Sequence, residues 1–196
     1  MARVDIEDLK NLDSVEKLAE IFTHRLNYDY EISPLSTRRW KEDIANSILN
    51  NDIKLLVKHQ DFHVIYCRIQ NLLLGIERPI VNQLLKEHPY LLVIFADKSN
   101  RNWHFVNIKY DEEIKNRRLF RRIVIGPDER LHTAAERINK LEITDDTIGA
   151  LEVQNKHDES FDVEEVTKEF YEKFADIFHI LDQDIAEENS QIDTAK

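Results

Sequence analysis

The sequence has few of the residues that staple, bend or anchor a chain. One cysteine, Cys67, in 196 residues rules out a disulfide framework within the chain and suits a reducing compartment. Three glycines and four prolines leave little material for tight loops. So few glycines exclude a phosphate-cradling P-loop and a Gly-rich dinucleotide turn, and no Gly-x-Ser-x-Gly elbow is present. No apolar run approaches the roughly 18 residues needed to span a bilayer. The opening twenty residues carry no apolar stretch of signal-peptide type, so the expectation is a cytoplasmic protein with no membrane partner.

What remains is the composition of a globular protein with a sizeable core: 42% hydrophobic and 33% charged residues. The formal net charge of −11 argues at first against nucleic acid. Its distribution changes that reading. Residues 142–196 hold 17 acids against 4 bases, whereas residues 1–141 hold 21 acids against 23 bases. The acidic bias lies in the last quarter, and the rest can meet an anion.

Apolar spacing predicts the elements. Ser14 caps a helix carrying Val15, Leu18, Ala19, Ile21, Phe22 and Leu26 on one face. Tyr28–Ile32 reads as extended. Residues 36–49 read as a helix with Trp40, Ile44 and Ile48 on one side. Ile53–Lys58 and Phe62–Ile69 read as a hairpin around His59, Gln60 and Asp61, with Val64, Tyr66 and Arg68 facing one way and Ile65, Cys67 and Ile69 the other. A helix over Glu77–His88 follows. Three strands come next, over 91–96, 103–109 and 119–125. The run from Leu91 to Phe95 is apolar on both faces and predicts a doubly covered strand. Trp103 and Phe105 read as core, with His104 on the opposite face. Helices are expected at about 132–142 and 147–155, then a longer one from Asp162 to about Leu181, and a polar tail. The fold class is therefore α/β, a mixed β-sheet flanked by helices with a C-terminal helical extension. The expected division is 1–130, 131–182 and a tail over 183–196.

The order helix, three strands, helix, strand that can be fitted to residues 14–110 resembles that of a restriction-endonuclease-like core. Such an enzyme holds Mg²⁺ between an Asp and the Glu of a Glu-x-Lys set. Asp61 is the candidate acid, with Glu20 and Asp97 as alternatives. The strand expected to carry Glu-x-Lys carries Tyr66-Cys67-Arg68 instead, and tyrosine is a poor ligand for a hard cation. The eight histidines show no metal-ligand spacing with each other or with Cys67. Cys67, mid-strand among apolar residues, reads at least as well as a buried, inert thiol as it does as a reactive one. Two basic clusters stand out: Arg38, Arg39 and Lys41 around Trp40, and Arg117, Arg118, Arg121 and Arg122 around Phe120. Arginines beside aromatics suit phosphate contact. For the second cluster, pairing with the acidic C-terminal helices is the competing reading. For the first, a solvated face is the simpler one.

One ordered set of segments goes further. It begins with Leu91–Asp97 and the Trp-bearing Asn102–Val106, then the arginine-rich strand. Thr133, Ala134, Arg137 and Leu141 follow on one helix, and Phe161–Tyr171 closes the set. Over roughly residues 50–180 it resembles the N-terminal region of type IIG-like restriction–modification enzymes and related adenine-N6 DNA methyltransferases of phage-defence systems. The resemblance implies a front domain that assists DNA binding or positions a downstream methyltransferase domain of the same polypeptide. S-adenosylmethionine would belong to that domain, and the Asn-Pro-Pro-Tyr motif that goes with it is not in this sequence. The departure from Glu-x-Lys implies a silent nuclease-like domain, with no cofactor of its own. Two alternatives stand beside it: a divergent Mg²⁺-dependent nuclease using Asp61, and an acidic adaptor binding protein through its C-terminal helices.

Overall fold

The structure is a computed structural model that describes residues 3–110, 118–162, 174, 175 and 178. Two compact units divide the chain, Met1–Phe161 and Asp162–Lys196. In the second unit Phe174, Ala175 and Phe178 are helical, and the rings of Phe174 and Phe178 lie 4.8 Å apart. The rest of the helix expected from Asp162, and the tail, lie outside the described residues.

The first unit opens with α1 (Ile6–Lys10) and α2 (Val15–Glu20). Ser14 caps α2 as expected, its hydroxyl accepting from the Lys17 amide. The helix then widens into a π turn over Ile21–Arg25. Strands β1 (Asp29–Pro34), β2 (Ile48–His59) and β3 (Phe62–Ile69) follow, with the short α3 (Glu42–Ala45) between β1 and β2. Helix α4 (Leu74–Leu84) crosses over to β4 (Tyr90–Ala96), β5 (Trp103–Tyr110) and β6 (Arg118–Ile125). Helices α5 (Leu131–Asn139) and α6 (Ala150–Ser160) close the unit. The six strands lie in the sheet in chain order. β3 and β4 are parallel, and each other neighbouring pair is antiparallel. The sheet is therefore two three-stranded meanders, joined at one parallel seam through α4.

Both faces are covered. Val64 and Tyr66 of β3, Leu92 and Ile94 of β4, and Trp103 and Phe105 of β5 face the core under α2, α5 and α6. Ile65, Cys67 and Ile69 face the second core, with Val93 and Phe95, under α4. β4 is thus the doubly covered strand its sequence predicts. Full burial of each such apolar side chain stabilises by about 1.5–3 kcal/mol. The Trp103 indole also donates to the carbonyls of Leu12 and Asn100, at 3.2 and 3.1 Å.

One predicted helix is absent. Residues 36–49 make a turn closed by the Trp40 amide on the Thr37 carbonyl, then only the four residues of α3. Ile48 begins β2 because it pairs with Ile69. The apolar spacing was right about the face, since Trp40, Ile44 and Ile48 all join the core under α4. Sheet pairing outcompeted the local helical preference. Helix α4 in turn starts three residues before the predicted Glu77, which places Pro79 inside it rather than in its first turn.

Candidate functional site

Ligands in α/β sheets gather at the carboxyl ends of parallel strands, where the backbone runs out and the crossovers diverge. In this sheet that place is the end of β3 and β4, where Arg68 is in register with Ala96. Tyr66 and Arg68 alternate onto one face there. A third element arrives by an irregularity. Between the pairs Ile48–Ile69 and Ile53–Cys67, β2 advances five residues while β3 advances two. Asn50 and Asn51, at φ of 51° and 53°, take up the excess in the left-handed region that asparagine tolerates. This bulge delivers Asp52 to Tyr66.

The resulting contacts are compact. Lys54 Nζ pairs with Asp52 Oδ1 at 2.8 Å and lies 5.7 Å from the centre of the Tyr66 ring. The Tyr66 hydroxyl stands 3.5 Å from Asp52 Oδ2 and 3.4 Å from Asn100 Oδ1. Burial, and then the Asp52 charge, push the phenol well above its ordinary range. Arg68 donates through Nη2 to the Lys98 carbonyl at 2.5 Å, while its buried Nε has no hydrogen-bond partner.

Asp97, one of the alternative nuclease acids, is at this end too, but its carboxylate is committed to its own turn. It accepts from the Ser99 hydroxyl, the Ser99 and Arg101 amides, and Asn102 Nδ2 at 2.8 Å. Burial would raise its pKa; the bonds from Asn102 and Ser99 and from the Arg101 and Asn102 amides outweigh that and hold it below the ordinary carboxylate range. Beside the turn is a cavity of about 650 Å³, with an apolar floor that includes Leu9 and Leu131 and a rim that includes Lys10, Arg101 and His132.

Asp61 is elsewhere. It is exposed on the β2–β3 turn, next to the Phe62–Tyr90 pair, at the opposite end of β3 from Arg68. Six strand steps separate those ends, on the order of 20 Å. Asp61 therefore cannot share a metal with Asp97 or act beside Tyr66 and Arg68, and Asp52 is the acid that meets them. Glu20 lines a separate groove with Glu7 and Asp8. Two-metal or Glu-x-Lys chemistry needs several converging carboxylates. Among the described residues no group of three or more His, Cys, Asp or Glu could hold a metal ion. Asp52, already paired with Lys54, does not fit a Mg²⁺ site by itself.

The arginine cluster of β6 is divided by strand alternation. Arg118 and Arg122 lie on the α4 side; Arg121 lies on the α6 side. Arg118 donates to Asn82 Oδ1 of α4 at 2.8 Å. Arg122 approaches buried Glu77 at 3.9 Å. The charge of Arg121 is felt by Asp158 of α6, which accepts from Asn107 and Gln154. Arg117 lies outside the described residues. Arg38, Arg39 and Lys41 are exposed on the segment entering α3.

No family model, no curated protein and no solved structure matches this chain.

Three features escaped sequence reasoning: the role of Asp52, the burial of Glu77, and the meeting of His63 with His88, whose rings stand 4.6 Å apart. Asp52-x-Lys54 on a strand was a readable signal for the first. Cys67 is fully buried, and burial pushes its thiol well above the ordinary value, which favours the buried, inert reading over the reactive one. No helix among the described residues is long and apolar enough to cross a membrane. Chemically, the end of β3 and β4 offers Lys54 and Arg68 with exposed Lys98 and Arg101 on the adjoining turn. That set presents several cations that can meet a phosphate group.

Proposed function

We propose that this chain is a nuclease-like, catalytically silent domain of a restriction–modification system. It holds DNA, or positions a methyltransferase domain of the same polypeptide, in the cytoplasm. The observation that carries this reading is the site at the carboxyl ends of β3 and β4. The site lies within an element order, α2, β1, α3, β2, β3, α4, β4, that apart from the short α3 parallels the helix, three strands, helix, strand order of a restriction-endonuclease-like core, which supports the reading. Its content is one lysine-paired carboxylate, Asp52, among Lys54, Arg68 and the cationic turn. Such a site retains attraction for phosphate and lacks the acids that would hold Mg²⁺. The single, buried thiol suits a reducing compartment. S-adenosylmethionine chemistry would belong to the methyltransferase domain; no residue of this chain is assigned to it. Of the β6 arginines, Arg122 adds positive charge mid-strand on the α4 side, whereas Arg118 and Arg121 lie toward the opposite end of the sheet from this site.

Fluorescence anisotropy with a labelled duplex tests the reading. Binding is expected at about 50 mM salt, falling steeply by about 200 mM as counterions compete. Lys54→Glu and Arg68→Glu should weaken binding and flatten the salt slope, and Asp61→Ala should leave both unchanged. No strand breaks should appear with Mg²⁺ or Mn²⁺. Metal-dependent nicking lost in Asp61→Ala or Asp52→Ala would replace this reading with the divergent nuclease. No binding at low salt, together with a stable protein complex through the acidic C-terminal segment, would replace it with the adaptor.

A further inference from the structure

Helix α4 buries Ile80, Val81 and Leu84, and Glu77 lies one turn earlier on the same stripe. The helix therefore carries a carboxylate into the core. Glu77 is fully buried, and among the described residues no other acid is buried. Its Oε1 accepts from His104 Nδ1 at 2.7 Å. Its Oε2 makes no hydrogen bond, and Arg122 Nη1 stands 3.9 Å away. The same Nη1 is 3.4 Å from His104 Nδ1. Because Nδ1 faces a carboxylate, it carries the proton, and it cannot also accept from the guanidinium. Two donors thus stand side by side around one acid. The groups facing His104 are Glu77 from α4 and Arg122 from β6; its register partners, Phe95 of β4 and Val124 of β6, carry no charge.

The triad has two charge states, set by the imidazole. With a neutral imidazole, Glu77 and Arg122 cancel. With an imidazolium, the triad carries a net positive charge. The Arg122 side chain is 31% exposed, so it has a way to solvent, whereas Glu77 has none. His104 also neighbours Trp103, which pairs with Ala96, so the triad sits near the same end of the sheet as Lys54 and Arg68, on the opposite face.

We propose that Glu77, His104 and Arg122 form a proton-controlled phosphate contact. With His104 neutral, Glu77 holds the Arg122 charge inward. With His104 protonated, the imidazolium becomes the counter-charge of Glu77, and Arg122 turns outward to a phosphodiester. The identity of the ligand rests on the DNA-holding reading; the coupling between the three residues does not.

Two measurements separate these. In the first, duplex affinity is compared at about pH 5.5 and about pH 8, spanning the ordinary histidine range. The wild-type chain should gain about tenfold more on acidification than Arg122→Ala, the size of one charge-assisted hydrogen bond. His104→Asn, which keeps a neutral donor toward Glu77, should lose that excess. An equal gain in wild type and Arg122→Ala overturns the proposal. In the second, the Arg122 Nε–H and His104 ring resonances are followed through the same pH range without DNA. A shared midpoint supports the switch, and an Arg122 signal unmoved through the His104 titration overturns it. If no duplex binds at either pH, the DNA-holding reading fails, and the second measurement alone decides the switch.

Discussion

The Tyr28 hydroxyl stands 2.8 Å from His157 Nε2, and both side chains are buried. The same hydroxyl reaches the Leu141 carbonyl at 3.1 Å. One arrangement satisfies every donor: Nε2–H donates to Tyr28, whose O–H donates to Leu141. His157 Nδ1 is then a bare acceptor without a partner, and no N–H is stranded. The ring is neutral, stacked 6.3 Å from Phe161.

Burial, helped by the Lys156 charge, pulls the His157 pKa from 6.5 down to about 3. The unfolded chain therefore binds a proton that the folded chain refuses. The stability this group contributes is fully present above pH 6.5 and is lost progressively as pH falls toward 3. By about pH 5 the loss attributable to it is roughly 2 kcal/mol. Urea unfolding at about pH 7.5 and pH 5 should show a pH-dependent loss smaller by that amount in His157→Phe than in wild type. Equal losses in the two proteins would remove His157 from the acid response.

Gly126 closes the β6 strand against the Asp97 turn. A Cβ there would lie 2.7 Å from Asn102 Oδ1. Asn102 cannot swing aside without releasing its 2.8 Å bond to Asp97. Gly126→Ala should therefore cost about 1 kcal/mol, the worth of that hydrogen bond. In Asn102→Ala the clash and the bond are both gone, so adding Gly126→Ala should cost almost nothing further. Additive losses in the double variant would disprove the coupling.

The bulge in β2 rests on two consecutive left-handed asparagines. Asn51→Gly should be accepted, since glycine adopts the same φ without a Cβ penalty. Asn51→Val should cost on the order of 1–2 kcal/mol and withdraw Asp52 from Tyr66. The Tyr66 phenol, pushed up by burial and then by Asp52, should titrate lower in Asn51→Val than in wild type. An unchanged spectrophotometric tyrosine titration would show that the bulge does not position Asp52.

Much of the sheet was legible because period-two patterning reports faces reliably. The opposed faces of β3, the doubly covered β4 and the core placement of Trp103 and Phe105 follow from it. The same patterning says nothing of which end of a hairpin two residues share. Asp61 was the candidate acid, whereas Asp52, which the sequence reading did not single out, reaches Tyr66 only through the extra residues of the bulge. The patterning also could not bring His63 to His88, since they meet through the α4 crossover. Nor could it foresee Glu77 in the core, because an acid on an apolar stripe reads as a break in the pattern until its partners on β5 and β6 are seen.

The two meanders differ from the seam between them in how they can assemble. Each meander closes strand on strand along neighbouring stretches of chain, whereas the β3–β4 seam forms only after α4 has been laid across the sheet. Pairing β3 with β4 is also what creates the carboxyl-end site, so Tyr66 and Asn100 can meet only where that seam is closed.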